Sequence, residues 1–244
     1  MKSIIRLLLL LGIVIPFSCA KSPEDQATAL LEKSMEAHGG AEKWSKLSSL
    51  KFRKWTRLLR EDGTVESESD QWHEFRFDPY FEGKISWVKD SVAHVAAWDG
   101  SRMSYFMGEN EIKNEGFLEG KKKDFDAAFY AVAQPWKLQD EDAVLRYEGQ
   151  KTLENGNLVA VIRVDYGPDT DQWWYYFDPE TFEMVANEVQ LKDHRSLVYN
   201  LQSEEKAGFK LHGKRESFRV NEEGKKLFLR AEYRYSDYEI QLKE

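Results

Sequence analysis

The 244-residue sequence contains a single cysteine, Cys19, so no disulfide can form within the chain. Its longest apolar run, residues 7–17, is too short to span a bilayer as a stable helix. Basic residues are outnumbered, with 35 Lys and Arg against 43 Asp and Glu, which gives a formal net charge of -8. This balance argues against a nucleic-acid partner, and also against a polybasic attraction to anionic lipid headgroups.

Recognisable catalytic motifs are also missing from the sequence. There is no Gly-x-Ser-x-Gly segment for a serine nucleophile, and Gly39 and Gly40 follow a predicted helix instead of opening one around a phosphate. No two histidines have the i, i+4 spacing of a helical metal site. We therefore expect no catalytic residue, metal or cofactor, and a hydrolase without a recognisable motif is the least favoured function.

The N-terminus has the pattern of an export signal. Two basic residues precede the apolar run and small residues follow it, as is typical of secretory signal peptides. Residues 16–19, Pro-Phe-Ser-Cys, resemble a bacterial lipobox, in which a small residue precedes the cysteine that becomes lipidated. We predict a signal peptide over residues 1–18, lipid attachment at Cys19 and a tether over residues 19–25. Cleavage after Ala20, which would remove the cysteine, is the alternative.

The rest of the chain combines two periodicities. Apolar residues recur at helical spacing over residues 26–38, 41–47 and 121–134, which predicts three helical segments. Elsewhere, apolar and polar residues alternate in short runs that are separated by turn pairs such as Asp-Gly and Asn-Gly. Such runs at regular spacing predict an antiparallel meander.

A long antiparallel sheet twists and curls, so its concave face must be filled. We predict one domain over residues 26–244, mainly β with α, built as a single curled antiparallel sheet. The sheet would have about 11–13 strands, and the helices would fill its concave face. An apolar ligand, most simply an acyl chain, would bind between the sheet and the helix at residues 121–134. Its lining side chains would be Phe125, Phe129, Val132 and Trp136. The alternative is that these side chains only close a dry core.

Aromatic residues make up 14% of the chain, and this abundance is compatible with a second function. Trp72, Trp87 and Trp98 lie on neighbouring predicted strands and could form a platform that stacks against sugars, although packing within a curled sheet is favoured. Residues 173–176, Trp-Trp-Tyr-Tyr, alternate between faces, so at least two of these rings would remain partly exposed. A tethered protein- or glycan-interaction module is therefore the alternative function.

Several short motifs resemble those of exported bacterial proteins of uncharacterised function. They are Ala-His-Gly-Gly at residues 37–40, Pro-Trp-Lys-Leu at 135–138, Tyr-Glu-Gly at 147–149, Val-Asp-Tyr-Gly at 164–167 and Tyr-Phe-Asp-Pro-Glu-Thr at 176–181. That group is similar to the LolA/LolB-like lipoprotein carriers, whose fold is an unclosed antiparallel barrel with helices plugging the mouth.

The resemblance implies an exported lipoprotein at the periplasmic or surface face of the outer membrane. It would bind or carry an apolar small molecule or lipid without catalysis, and it would contact the membrane through its N-terminal anchor. A monomer is expected.

Overall fold

The computed structural model describes residues 21–139, 143–167 and 170–243. The predicted signal peptide and the predicted lipid-attachment residue Cys19 lie outside these ranges. In the described residues, no helix combines the length and the apolar character that a membrane crossing requires.

The first helix, α1 (Pro23–Ala37), begins three residues earlier than the predicted helix at residues 26–38. The Ser22 hydroxyl accepts a hydrogen bond of 3.0 Å from the Asp25 backbone N–H. Pro23 occupies the first turn, where the backbone N–H that proline lacks would have no partner within the helix. Residues 23–25 of the expected tether are therefore the first turn of a helix. Gly39 and Gly40 follow its end with positive φ angles of 122° and 89°.

Two further α-helices, one 3-10 helix and thirteen strands follow in the described residues. The helices are α2 (Ala41–Ser45), α3 (Glu115–Val132) and the 3-10 helix (Trp136–Gln139). The strands are β1 (Leu47–Leu59), β2 (Val65–Arg76), β3 (Glu82–Lys89), β4 (Val92–Trp98), β5 (Met103–Met107), β6 (Asn110–Glu111), β7 (Val144–Thr152), β8 (Leu158–Asp165), β9 (Gln172–Phe177), β10 (Met184–Gln190), β11 (Arg195–Lys206), β12 (Phe209–Val220) and β13 (Lys226–Leu242).

All thirteen strands of the described residues form one antiparallel sheet that is not closed into a barrel. Its order is β6-β5-β4-β3-β2-β1-β13-β12-β11-β10-β9-β8-β7, so strands that are adjacent in the sheet are consecutive in sequence everywhere except at the centre. There, β1 pairs with β13, and Lys54 lies opposite Tyr235. The predicted fold class and strand number are confirmed.

The helix α3 begins at Glu115, six residues before the predicted segment at residues 121–134. The Asn114 side chain caps it by accepting a hydrogen bond of 2.9 Å from the Phe117 N–H. Phe117 then packs edge-on against Tyr105 of β5, with ring centres 4.8 Å apart. This contact with the sheet lies outside the stripe of apolar residues from which the shorter helix was predicted.

The main core lies on the concave face of the sheet. The helix α1 packs against it through Ala27, Leu31 and Met35, all at most 3% exposed. At the same end, the ring of Trp44 from α2 stacks on Trp136, with 4.2 Å between ring centres. A second, smaller core lies on the opposite face and consists of Leu153, Val159, Val161, Tyr176, Ala186, Leu197, Tyr199 and Val220. The helices and their loops leave part of the concave face uncovered.

Candidate functional site

A cavity of about 1120 Å³ lies between α3 and the concave face of β1 and β10–β13. Pockets for small ligands are usually about 300–1,000 Å³, so this space is ample for an acyl chain. Its lining includes Lys54, Phe77, Phe81, Asp126, Phe129, Lys137, Trp173, Asn187, Val198, Arg215, Arg219, Arg230, Tyr233 and Tyr235.

One wall of the cavity is aromatic. Phe129 of α3 packs between Phe77 and Phe81, with ring centres at 5.6 Å and 4.7 Å. Phe77 follows the end of β2, and Phe81 precedes β3, so the β2–β3 connection supplies two of the three rings. All three side chains are partly exposed, and each presents apolar surface to the cavity.

The opposite wall is the sheet itself, and several cationic side chains project from it. Arg215 of β12 is 5% exposed. Its Nε donates to the Asn200 Oδ1 at 2.7 Å, and its Nη2 donates to the Asn187 Oδ1 at 2.5 Å. In the described part of the chain, no carboxylate oxygen lies within 4.0 Å of this guanidinium. Neutral amides therefore orient Arg215 without neutralising it.

Lys54 extends over the same wall from β1. Its Nζ lies 5.2 Å from the ring centre of Tyr233 and 5.6 Å from that of Tyr235, distances typical of cation–π contacts. Arg219, near the end of β12, donates to the Ser196 hydroxyl. Arg230 differs from these side chains because it forms an ion pair of 2.5 Å with Glu66.

These charges set a positive potential at the sheet wall. Burial acts to raise the pKa of Tyr235, but the charges of Lys54 and Arg215, together with their hydrogen bonds to its hydroxyl, outweigh burial and hold the pKa below its ordinary value of 10.0. Burial chiefly, and then the charge of Arg215, lower the pKa of His212 well below 6.5. Burial followed by Lys54 lowers the pKa of His73 to about 3.

Of the four side chains that were predicted to line an apolar site, one lies at the cavity and three are buried in the core. Phe129 lines the cavity. Phe125 is fully buried and packs at 5.3 Å from the ring centre of Phe75. Val132 is 1% exposed and Trp136 is 5% exposed, and neither belongs to the cavity lining. Phe125 and Phe129 lie on the same face of α3, one turn apart along its axis, so the core covers the first ring whereas the second lies at the cavity.

The tryptophans do not form one platform. Trp87 and Trp98 pack against the concave-face core, whereas Trp72 points to the opposite face, where the Nζ of Lys51 lies 4.8 Å from its ring centre. Trp173 lines the cavity, and its neighbour Trp174 donates to Glu148 at 3.1 Å on the other face. Within the described ranges, no group of three or more His, Cys, Asp or Glu could hold a metal ion.

Sequence alone did not single out Lys54, Arg215 or Arg219 as site residues. A signal was present for Lys54, since it alternates in phase with the apolar residues Leu50 and Phe52 of the same strand. A charge on the core-facing side of a strand predicts either a buried ion pair or a polar site.

Comparisons with solved structures identify the class of fold. A DUF1329 family protein from Desulfovibrio piger superposes with a TM-score of 0.55 at 9% identity, covering 90% of this chain and 94% of that chain. A LolA superfamily protein from Nitrosomonas europaea gives 0.53 at 11% identity, covering 88% and 93%. A putative outer membrane lipoprotein-sorting protein domain from Vibrio parahaemolyticus gives 0.50 at 9% identity, covering 86% and 93%.

The molecule therefore has a LolA-like fold, which confirms the resemblance found in its sequence motifs at the level of architecture. No protein-family model matches the chain, and the comparison with curated proteins finds no match.

Proposed function

We propose that this protein binds or carries an acyl chain, or a ligand with an equivalent apolar part, in the cavity between α3 and the sheet. The observation that supports this best is the cavity itself, with a volume of about 1120 Å³ and an aromatic wall formed by Phe77, Phe81 and Phe129. Each methylene group that the ligand buries against these rings would contribute about 0.8 kcal/mol. The role proposed is binding without catalysis.

The name of one structural neighbour, a putative outer membrane lipoprotein-sorting protein domain, supports a carrier role in the cell envelope. We extend the proposal to export through a signal peptide at residues 1–18 and to anchoring through a lipid on Cys19. In this proposal, the anchor holds the protein at the outer membrane, and the cavity provides the apolar environment that the ligand needs in water.

A space-filling substitution tests the proposed location. Val198 of β11 lines the cavity on the sheet side, so Val198→Trp should fill the space that the ligand needs. The matched control is Val144→Trp, because Val144 lies on β7 and is 59% exposed. Val132 is unsuitable for this test, since it is 1% exposed and a larger ring there would overpack the core.

The assay is a fluorescence titration of the purified protein with Nile red, an uncharged apolar probe. We expect saturable binding to the unmodified chain and to Val144→Trp, and binding weaker by about tenfold or more for Val198→Trp, which corresponds to about 1.4 kcal/mol. Equal binding by all three proteins would show that the apolar site lies elsewhere.

A further inference from the structure

The cavity concentrates basic side chains in an acidic protein. Its basic lining residues are Lys54, Lys137, Arg215, Arg219 and Arg230. In the described part of the chain, the acidic lining residue is Asp126 alone. The chain as a whole has the opposite balance, with 43 acidic and 35 basic residues. The positive charge of the lining therefore does not follow from the composition.

Among the residues that the structure describes, three of these cations form no ion pair with a carboxylate. Within residues 21–139, 143–167 and 170–243, no carboxylate oxygen comes within 4.0 Å of Lys54, Arg215 or Arg219. Their observed partners are neutral: aromatic rings, amide oxygens and a hydroxyl. An uncompensated charge at a nearly buried position such as Arg215 costs free energy, and a bound anion would recover that cost.

Lys54 and Arg215 converge on one place in the wall. Lys54 is the register partner of Tyr235, and Arg215 is the register partner of Tyr233, two residues away on the same strand. Both cations act on the Tyr235 hydroxyl strongly enough to lower its pKa despite complete burial. Two cations that share one neutral neighbour form a site suited to a single anionic group.

The aromatic wall and the cationic wall face the same space. Phe129 and its two phenylalanine neighbours present apolar surface from the α3 side, while the cations project from the sheet. We infer, on the basis of the proposed function, that the ligand is an anionic amphiphile. Its acyl chain packs against Phe77, Phe81 and Phe129, and its carboxylate or phosphate headgroup binds to Lys54 and Arg215.

Two substitutions and one control test the headgroup site. Lys54→Met keeps most of the side-chain stem and removes the charge. Arg215→Lys keeps a charge but removes the planar, oriented guanidinium. Lys51→Met is the matched control, because Lys51 lies on the same strand but contacts Trp72 and Glu239 on the opposite face. Thermal unfolding verifies that each variant is folded.

The assay measures the displacement of Nile red by four compounds: dodecanoate, dodecyl phosphate, uncharged dodecanol and inorganic phosphate. We expect at least one of the two anionic amphiphiles to bind about tenfold or more tightly than dodecanol, the range of a charge-assisted hydrogen bond. Which of them binds more tightly distinguishes a carboxylate from a phosphate headgroup. Lys54→Met should remove most of this preference, Arg215→Lys should reduce it, and Lys51→Met should leave it unchanged.

Three outcomes would overturn the inference. Equal affinity for dodecanol and both anionic amphiphiles would remove the headgroup site while leaving the proposed apolar cavity intact. If Nile red did not bind and none of the three dodecyl compounds bound, both proposals would be wrong. Separate calorimetry with inorganic phosphate, if it showed binding as tight as that of dodecyl phosphate, would identify the ligand as a free anion without a chain.

Discussion

Lys54 and Tyr235 lie directly opposite each other in the β1–β13 pair, and the lysine Nζ is 5.6 Å from the centre of the tyrosine ring. They lie on β1 and β13, which are the first and last strands along the chain and which pair at the centre of the sheet. Both residues belong to the sheet wall of the cavity. The pair therefore reports on the charge of the cavity, because the ionisation of Tyr235 depends on Lys54 and Arg215.

We predict that Lys54→Met raises the pKa of Tyr235. The tyrosine pKa now lies below 10.0 because two cations outweigh burial, and the variant removes the larger of their contributions. The folded-state pKa is below the unfolded value, so Tyr235 adds stability as pH rises through its folded pKa, and Lys54→Met removes that gain. Ultraviolet difference titration against Tyr235→Phe measures the shift, and Lys51→Met should not change it.

His73 is buried without a hydrogen-bond partner for either ring nitrogen in the described residues. Its ring stacks on Phe52, with ring centres 4.9 Å apart and planes inclined by 7°. Burial, with a smaller contribution from Lys54, lowers its pKa from 6.5 to about 3. In the folded protein this histidine is therefore neutral under conditions in which the unfolded chain protonates it.

We predict that His73→Phe makes stability less sensitive to acid. As pH falls below 6.5, the unfolded state binds a proton that folded His73 does not, so the free energy of unfolding decreases by up to about 1.4 kcal/mol per pH unit. The variant should lose this part of the slope, which urea unfolding between about pH 6.5 and pH 5 measures. His194→Gln is the control, because the side chain of His194 is 26% exposed and is paired with Asp193. An unchanged slope in His73→Phe would contradict the assignment.

We predict that substitution of Phe125 mainly lowers stability, whereas substitution of Phe129 mainly weakens ligand binding. Phe125 is 0% exposed within the core, so Phe125→Ala should cost about 3–5 kcal/mol of unfolding free energy. Phe129 lines the cavity and is only partly buried, so Phe129→Ala should cost less and should weaken the binding of Nile red. Denaturant unfolding and probe titration of both variants measure the two effects. A larger stability loss for Phe129→Ala would contradict this division.

The proposed anchor gives a prediction at the N-terminus. Cys19→Ser should release the protein from membranes in cell fractionation, because the lipid would have no attachment point. Stable anchoring needs more than one acyl chain, so a multiply acylated cysteine is expected. An intact mass that begins at Lys21, or an unchanged membrane fraction in the variant, would contradict lipidation.

The sequence predicted the fold well because the alternation of apolar and polar residues reflects which side of a strand is buried. It predicted the start of α3 less well. The first two turns of that helix contact the sheet through Phe117, outside the stripe containing Phe125 and Phe129. Tertiary contacts of this kind extend a helix beyond its periodic segment.

The candidate site could be predicted only in part. The acidic net charge argued against recognition of anionic headgroups, but a net charge averages over the whole surface, whereas the structure places Lys54, Arg215 and Arg219 in one cavity. Alternation shows that Lys54 faces inward, yet it does not show which residues of β12 lie beside it. That information depends on the pairing of β13 with both β1 and β12, which joins residues almost two hundred positions apart.

The central position of β13 has a consequence for how the molecule is made. The strands β1–β6 and β7–β12 are two meanders of consecutive hairpins, and among the described residues no ladder joins them except through β13. During synthesis, both meanders leave the ribosome before the strand that links them. The sheet wall of the cavity has Lys54 on one meander and Arg215 on the other. It is therefore assembled only when translation has reached the C-terminal segment.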